Sequence, residues 1–202
     1  MSDNVEIMRN CDYENAAPLL SKWLKFLFLT QIMNVAVSVA GAIGVPSGIT
    51  GVVSIVLTGC LLYAMFQLSA VNERYRKAFV FGVVQLAASI CSRLFSSDGF
   101  SLVISICSLC AVYQQYHGHA EVTSNLDEVL SGKWSRLFTW ELVVGIITVF
   151  GTIAATVVGI GMGSALEALI GIVLLLAVIP GIALEVLYLV YLKRTLALFA
   201  EK

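Results

Sequence analysis

The chain has 202 residues, of which 59% are hydrophobic and 12% charged, with a formal net charge of -1; soluble domains average about 45–50% apolar and about 25% charged. A water-soluble fold of this length could not bury so much apolar surface, and the near-neutral balance excludes a general basic surface for nucleic acid. No Asp, Glu, Lys or Arg occurs from Phe26 to Asn72 or from Leu142 to Leu166, and each block can contain a bilayer-crossing helix of about 20 residues.

Residues 1–18 are expected to be a cytoplasmic N-terminal segment, with Asn15 and Pro18 suited to opening the first helix. That helix is predicted over Leu19 to Ile43, where Gly44-Val45-Pro46-Ser47-Gly48 stops it. Lys22 and Lys25 before an apolar run with Ser38-Val39-Ala40 resemble a signal peptide faintly. The acids Asp3, Glu6, Asp12 and Glu14 upstream, and the further apolar runs downstream, indicate an uncleaved helix instead. The second span is predicted over 49–71, ending at Asn72-Glu73-Arg74-Tyr75-Arg76-Lys77, and the third over 78–95, ending at the turn-forming Ser96-Ser97-Asp98-Gly99. The fourth covers 100–116, the fifth 137–161 and the sixth 165–192. Within the loop 117–136, Val122, Leu126, Val129 and Leu130 follow helical spacing opposite Glu121, Asp127 and Glu128. This predicts a short amphipathic helix on the inner membrane surface, or a contact for a partner.

Six spans put eleven of the twelve Lys and Arg residues on one side and Arg93 alone on the other. Positive residues in short loops stay cytoplasmic. The expected fold is therefore all-α, a polytopic bundle of six transmembrane helices arranged as three hairpins, with both termini cytoplasmic. Short loops and strong charge segregation suit a bacterial plasma membrane.

Helices in lipid associate through close packing at small residues and through interhelical hydrogen bonds. Gly151, Ala155, Gly159 and Gly163 recur every four residues in the fifth span, and Ala36, Ala40 and Gly44 in the first; both series are candidate packing faces. Pro180-Gly181 is expected to kink the sixth span.

Glu185 is the most informative single residue, because an ionisable side chain inside a span is costly and marks a functional position. It lies eight residues from Lys193, about 12 Å from the basic edge. Gln85 and Asn34 fall at similar depth, with Gln31 and Gln67 somewhat nearer the edge. Two readings compete: interhelical glue, or a polar layer lining a cavity open to the cytoplasm that binds a small solute or cation.

In Cys107-Ser108-Leu109-Cys110 and the following His117-Gly118-His119, two cysteines and two histidines are close in sequence. Cys110 and His117 are seven residues apart, about 10.5 Å along a helix, far beyond the span of ligands on one zinc ion at about 2.0–2.3 Å each. A cytoplasmic cluster of His117, His119, Glu121 and Glu141 is a separate candidate for holding a divalent ion or moving a proton. The five cysteines show no disulfide framework. The nucleophile-like Gly161-Met162-Gly163-Ser164 is expected on the face opposite the histidines, about 30 Å away across the hydrocarbon, and phosphate-binding, zinc-protease and dinucleotide motifs are absent.

In size and span number the chain is similar to small substrate-binding subunits of bacterial vitamin transporters, and Ala36-Val37-Ser38-Val39-Ala40 has the AxxxA form found on their first helix. That resemblance covers five residues and a helix count, so no ligand is carried over from it. Three functions remain: a non-enzymatic membrane protein without cofactor, acting in the bilayer through a membrane-protein partner or its own copies; a transporter or solute-binding subunit built on the Glu185 layer; and a metal-dependent enzyme at the membrane interface.

Overall fold

Long apolar runs interrupted by short polar segments fold here into helices and little else. The computed structural model describes residues 2–95, 98–159 and 164–200, with side chains described at 16–41, 43–46, 48–92, 94–95, 99–147 and 179–200. Six α-helices occupy the six predicted runs: α1 Ser2–Ala42, α2 Ser47–Leu68, α3 Glu73–Phe95, α4 Ser101–Thr123, α5 Glu128–Gly159 and α6 Ser164–Ala200, with one 3-10 turn at Asp98–Phe100. There is no strand among the described residues. The segments Ala16–Gly41 and Gly48–Leu68 are long and apolar enough to cross a membrane, and only 17% of the most apolar window of each is buried inside the molecule. The core helix of a soluble protein would be mostly buried, whereas most side chains in these two windows are half-buried or exposed.

Helix ends follow local chemistry. The α1 terminus is a Schellman motif: the Val45 N–H donates to Ala40 O at 3.0 Å and the Gly44 N–H to Gly41 O at 3.2 Å, with Gly44 at φ 96°. That left-handed backbone favours glycine. Gly44 therefore ends the helix, and within this chain a Cβ there would meet nothing within 4 Å. Asn72 Oδ1 accepts the Arg74 N–H at 2.7 Å to open α3, and Asp127 Oδ1 accepts the Leu130 N–H at 2.9 Å to open α5; caps of this type are each worth about 1 kcal/mol.

Several helices overrun the predicted spans: α3 opens at Glu73 rather than at 78 and α6 runs to Ala200 rather than to 192, and the largest differences lie before Pro18 and in the loop 117–136. Helix α1 starts at Ser2 and runs through Pro18, so residues before Pro18 belong to the same helix. No separate amphipathic helix occupies 117–136: α4 continues to Thr123 and α5 begins at Glu128. Tertiary packing explains this, because Val122 and Leu130 are buried in the shared core while Leu126 and Val129 stay exposed. The spacing read as one helix is thus split: Val122 lies in the last turn of α4, Leu126 in the turn between the helices, and Val129 and Leu130 in the first turn of α5.

Each helix packs on its neighbours in the chain, and α6 packs on α1, which closes a ring. In that ring α1 and α4 stand on opposite sides. The buried core lies at one end, the end rich in Lys and Arg: Leu20, Leu24 and Leu27 of α1, Leu68 of α2, Tyr75 and Ala78 of α3, Tyr116 and Ala120 of α4, Trp134 and Leu137 of α5, and Tyr188, Leu192 and Phe199 of α6. Toward the opposite end, the described residues of α1 to α4 are half-buried or exposed apart from Gly82 and Ala88 of α3. The ring is thus filled at its basic end.

Candidate functional site, a carboxylate cluster inside the helix ring

Gln31 of α1 donates from Nε2 to Glu185 Oε2 of α6 at 3.3 Å. Both residues line a cavity of about 520 Å³ between the two helices, together with Asn34, Ser38, Val35, Val39, Gly181, Ile182, Val186 and Leu189. Glu185 is also within electrostatic reach of Tyr116 of α4, Glu141 of α5 and Tyr188 of its own helix. Glu185 itself is exposed, on the wall of that cavity between α1 and α6.

Glu141 completes the cluster. Tyr116 is its hydrogen-bonding neighbour, while Glu141 Oε2 is buried without a partner. Gln115 of α4 donates from Nε2 to the Tyr188 hydroxyl. Glu185 and Glu141, with Tyr116 and Tyr188, thus lie within electrostatic reach of one another, and Gln31 and Gln115 add amides bonded to Glu185 and Tyr188. Such a group can hold a cation, whose charge would relieve repulsion between the two acids, or hand protons among oxygen atoms. It contains no histidine or thiol.

Of the predicted polar layer, Gln31, Asn34 and Glu185 come together. Gln85 does not join them; it lines a separate groove of about 170 Å³ between α2 and α3 with Ser54, Thr58 and Ser89. Gln67, half-buried on α2, lines neither.

The four residues proposed from sequence as a metal cluster go to four places. Glu121 Oε1 pairs with Arg74 Nε at 2.8 Å, and its Oε2 accepts from Asn72 at 3.1 Å. His117 bonds back to Tyr113 O at 3.0 Å and packs on the Tyr113 ring at 4.1 Å. Glu141 joins Glu185. His119 is fully buried, with Nδ1 at 2.8 Å from the Tyr75 hydroxyl and its ring 4.6 Å from Trp134 and 6.3 Å from Tyr188. Its Nε2 is buried without a partner, and burial holds its pKa down to about 3. Among the described residues no three His, Cys, Asp or Glu side chains converge as metal ligands. Cys60, Cys91, Cys107 and Cys110 are free and half-buried.

The Gly151, Ala155 and Gly159 series lies on α5 outside the described side chains, and Gly163 lies outside the described residues altogether. Sequence reasoning did not place Glu141 within electrostatic reach of Glu185. The available signal was its depth: Glu141 lies five residues past Arg136, about 7.5 Å into an apolar run. Tyr116, Tyr188 and Gln115 gave no such signal, since amphipathic residues at helix ends are ordinary. No known protein family, curated protein or solved structure matches the chain.

Proposed function

We propose that the chain is a non-enzymatic integral membrane protein of a bacterial plasma membrane, with six spans and both termini cytoplasmic, that binds a small positively charged solute at Glu185. The observation that carries this reading is the cavity between α1 and α6, into which Glu185 brings a carboxylate and Gln31, Asn34 and Ser38 bring neutral polar groups. Its remaining walls are aliphatic, which suits an organic cation with an apolar body: pockets of this kind combine an apolar lining with a few polar groups that fix orientation. The membrane setting is supported by the exposed apolar residues of α1 and α2. The orientation is supported by the segregation of Lys and Arg. Since the core occupies the basic end, a solute would reach Glu185 from the opposite end or from the side, and passage to the cytoplasm would require the aromatic packing around Tyr116, Trp134 and Tyr188 to part.

Binding of small organic amines and monovalent cations to the purified protein in mild detergent tests the reading, scored by thermal shift and by mass spectrometry of retained molecules. The wild-type protein is expected to bind at least one amine, and Glu185→Gln to lose it while keeping its helical content and elution volume. Equal binding by the two proteins would remove Glu185 from the site. An association role through the Gly151 series has no described side-chain geometry behind it, and the cavity is the better-supported site.

A further inference from the structure

We propose that the pocket at the start of α3 is a binding site for the phosphate headgroup of an anionic phospholipid, with an acyl chain laid along Val80 and Phe81. The pocket has a volume of about 440 Å³ and is lined by Glu73, Arg76, Lys77, Val80, Phe81 and Gln114. The inference rests on the membrane reading above and is independent of the solute site.

Three observations carry it. The first is charge. Lys77 pairs with Glu73 at 3.1 Å, and Arg76 forms no salt bridge among the described residues. Two cations against one carboxylate leave a net positive pocket with an available guanidinium, the side chain best matched to phosphate oxygens.

The second is the direction of the Gln114 amide. Its Oε1 accepts from Arg74 Nη1 at 3.2 Å, so its carbonyl is engaged and its NH2 is the end left to donate. Arg74 is in turn held by Glu121, which keeps that guanidinium on the α4 side. The pocket therefore offers donors from two helices: Arg76 and Lys77 of α3 and Gln114 of α4.

The third is the sequence of chemistry along α3. Residues 76 and 77 are followed one turn later by 80 and 81, on the same helical face and about 6 Å further along the axis. Charge at the rim gives way to a valine and a phenylalanine at the depth where hydrocarbon begins in the six-span reading. A soluble oxyanion would use only the rim; a phospholipid would use both levels. Basic pockets between membrane helices at the cytoplasmic face are suited to anionic headgroups.

The test uses the full chain in mild detergent, titrated with phosphatidylglycerol, phosphatidylcholine or inorganic phosphate and followed by native mass spectrometry and thermal shift. Phosphatidylglycerol should bind in preference to phosphatidylcholine. Arg76→Gln should weaken it about fivefold, and Arg76→Gln with Lys77→Gln roughly thirtyfold, from the usual contribution of one basic residue near an anionic headgroup. The exposed pair Lys193→Gln with Arg194→Gln removes the same charge elsewhere and should leave binding nearly unchanged. The lipid site is overturned if both double variants lose affinity equally, if the pocket variant loses none, or if inorganic phosphate occupies the pocket as tightly as phosphatidylglycerol. A chain that needs detergent yet shows no preference for phosphatidylglycerol overturns the lipid site alone; one that stays soluble without detergent overturns the membrane reading as well.

Discussion

Lowering the pH from 7.5 to 5.0 should destabilise the protein through His119. The imidazole is 0% exposed, bonded at Nδ1 to the Tyr75 hydroxyl, and held by burial at a pKa of about 3. In the unfolded chain the same group titrates at about 6.5. Between these values the unfolded state carries a proton that the folded state refuses, so stability is complete above about pH 6.5 and falls as the pH drops. The slope is about 1.4 kcal/mol per pH unit, which amounts to about 2 kcal/mol at pH 5.0. His119→Phe keeps a ring beside Trp134 and removes the titration. Equilibrium unfolding in mixed micelles of neutral detergent and dodecyl sulfate, followed by circular dichroism at several pH values, measures both proteins. Wild type minus variant should fall by about 2 kcal/mol across this range. If the two proteins show the same pH dependence, His119 is not buried as a neutral group and the reasoning fails.

Other perturbations probe the same closed end. A Cβ on Gly118 would lie 3.0 Å from Tyr75 Cε1 and 3.3 Å from Arg74 Cβ, so Gly118→Val should cost about 1–3 kcal/mol from overpacking. Gly132 has nothing within 4 Å of such an atom, and Gly132→Ala in helix α5 should stabilise by up to about 1 kcal/mol in the same unfolding assay. The Trp134 Nε1–H donates to buried Thr195 Oγ1 at 3.1 Å, so Trp134→Phe should cost about 1–3 kcal/mol and Thr195→Val added to it should cost little more; additive losses would show that the bond is not made. The part-exposed Arg74–Glu121 pair should give a coupling of at most about 1 kcal/mol in a double-mutant cycle, shrinking as salt is raised.

The concentration of buried residues at the basic end has a physical rationale within the proposed setting. Apolar side chains gain little by leaving lipid for protein, whereas beyond the hydrocarbon the hydrophobic effect drives them together. Leu20, Leu24, Leu68, Tyr75, Trp134 and Leu192 then form a core of the ordinary water-driven kind, and the cluster around Glu185 borders it.

The all-α class, the number of helices and ends such as those at Ala42 and Phe95 were determined by the sequence alone, because these follow from local properties: apolar runs of sufficient length and a glycine that tolerates positive φ at position 44. Which polar residues meet was decided only by the tertiary structure. Axial depth correctly placed Gln31, Asn34 and Glu185 near one another, yet depth carries no information about azimuth, and Gln85, at the same depth, went to the groove between α2 and α3. Azimuth depends on the order of helices around the ring and on the rotation of each, both set by packing between residues far apart in sequence. For the same reason Glu141 left the histidines to join Glu185, Glu121 paired with Arg74, and His119 lost its water to Tyr75, Trp134 and Tyr188.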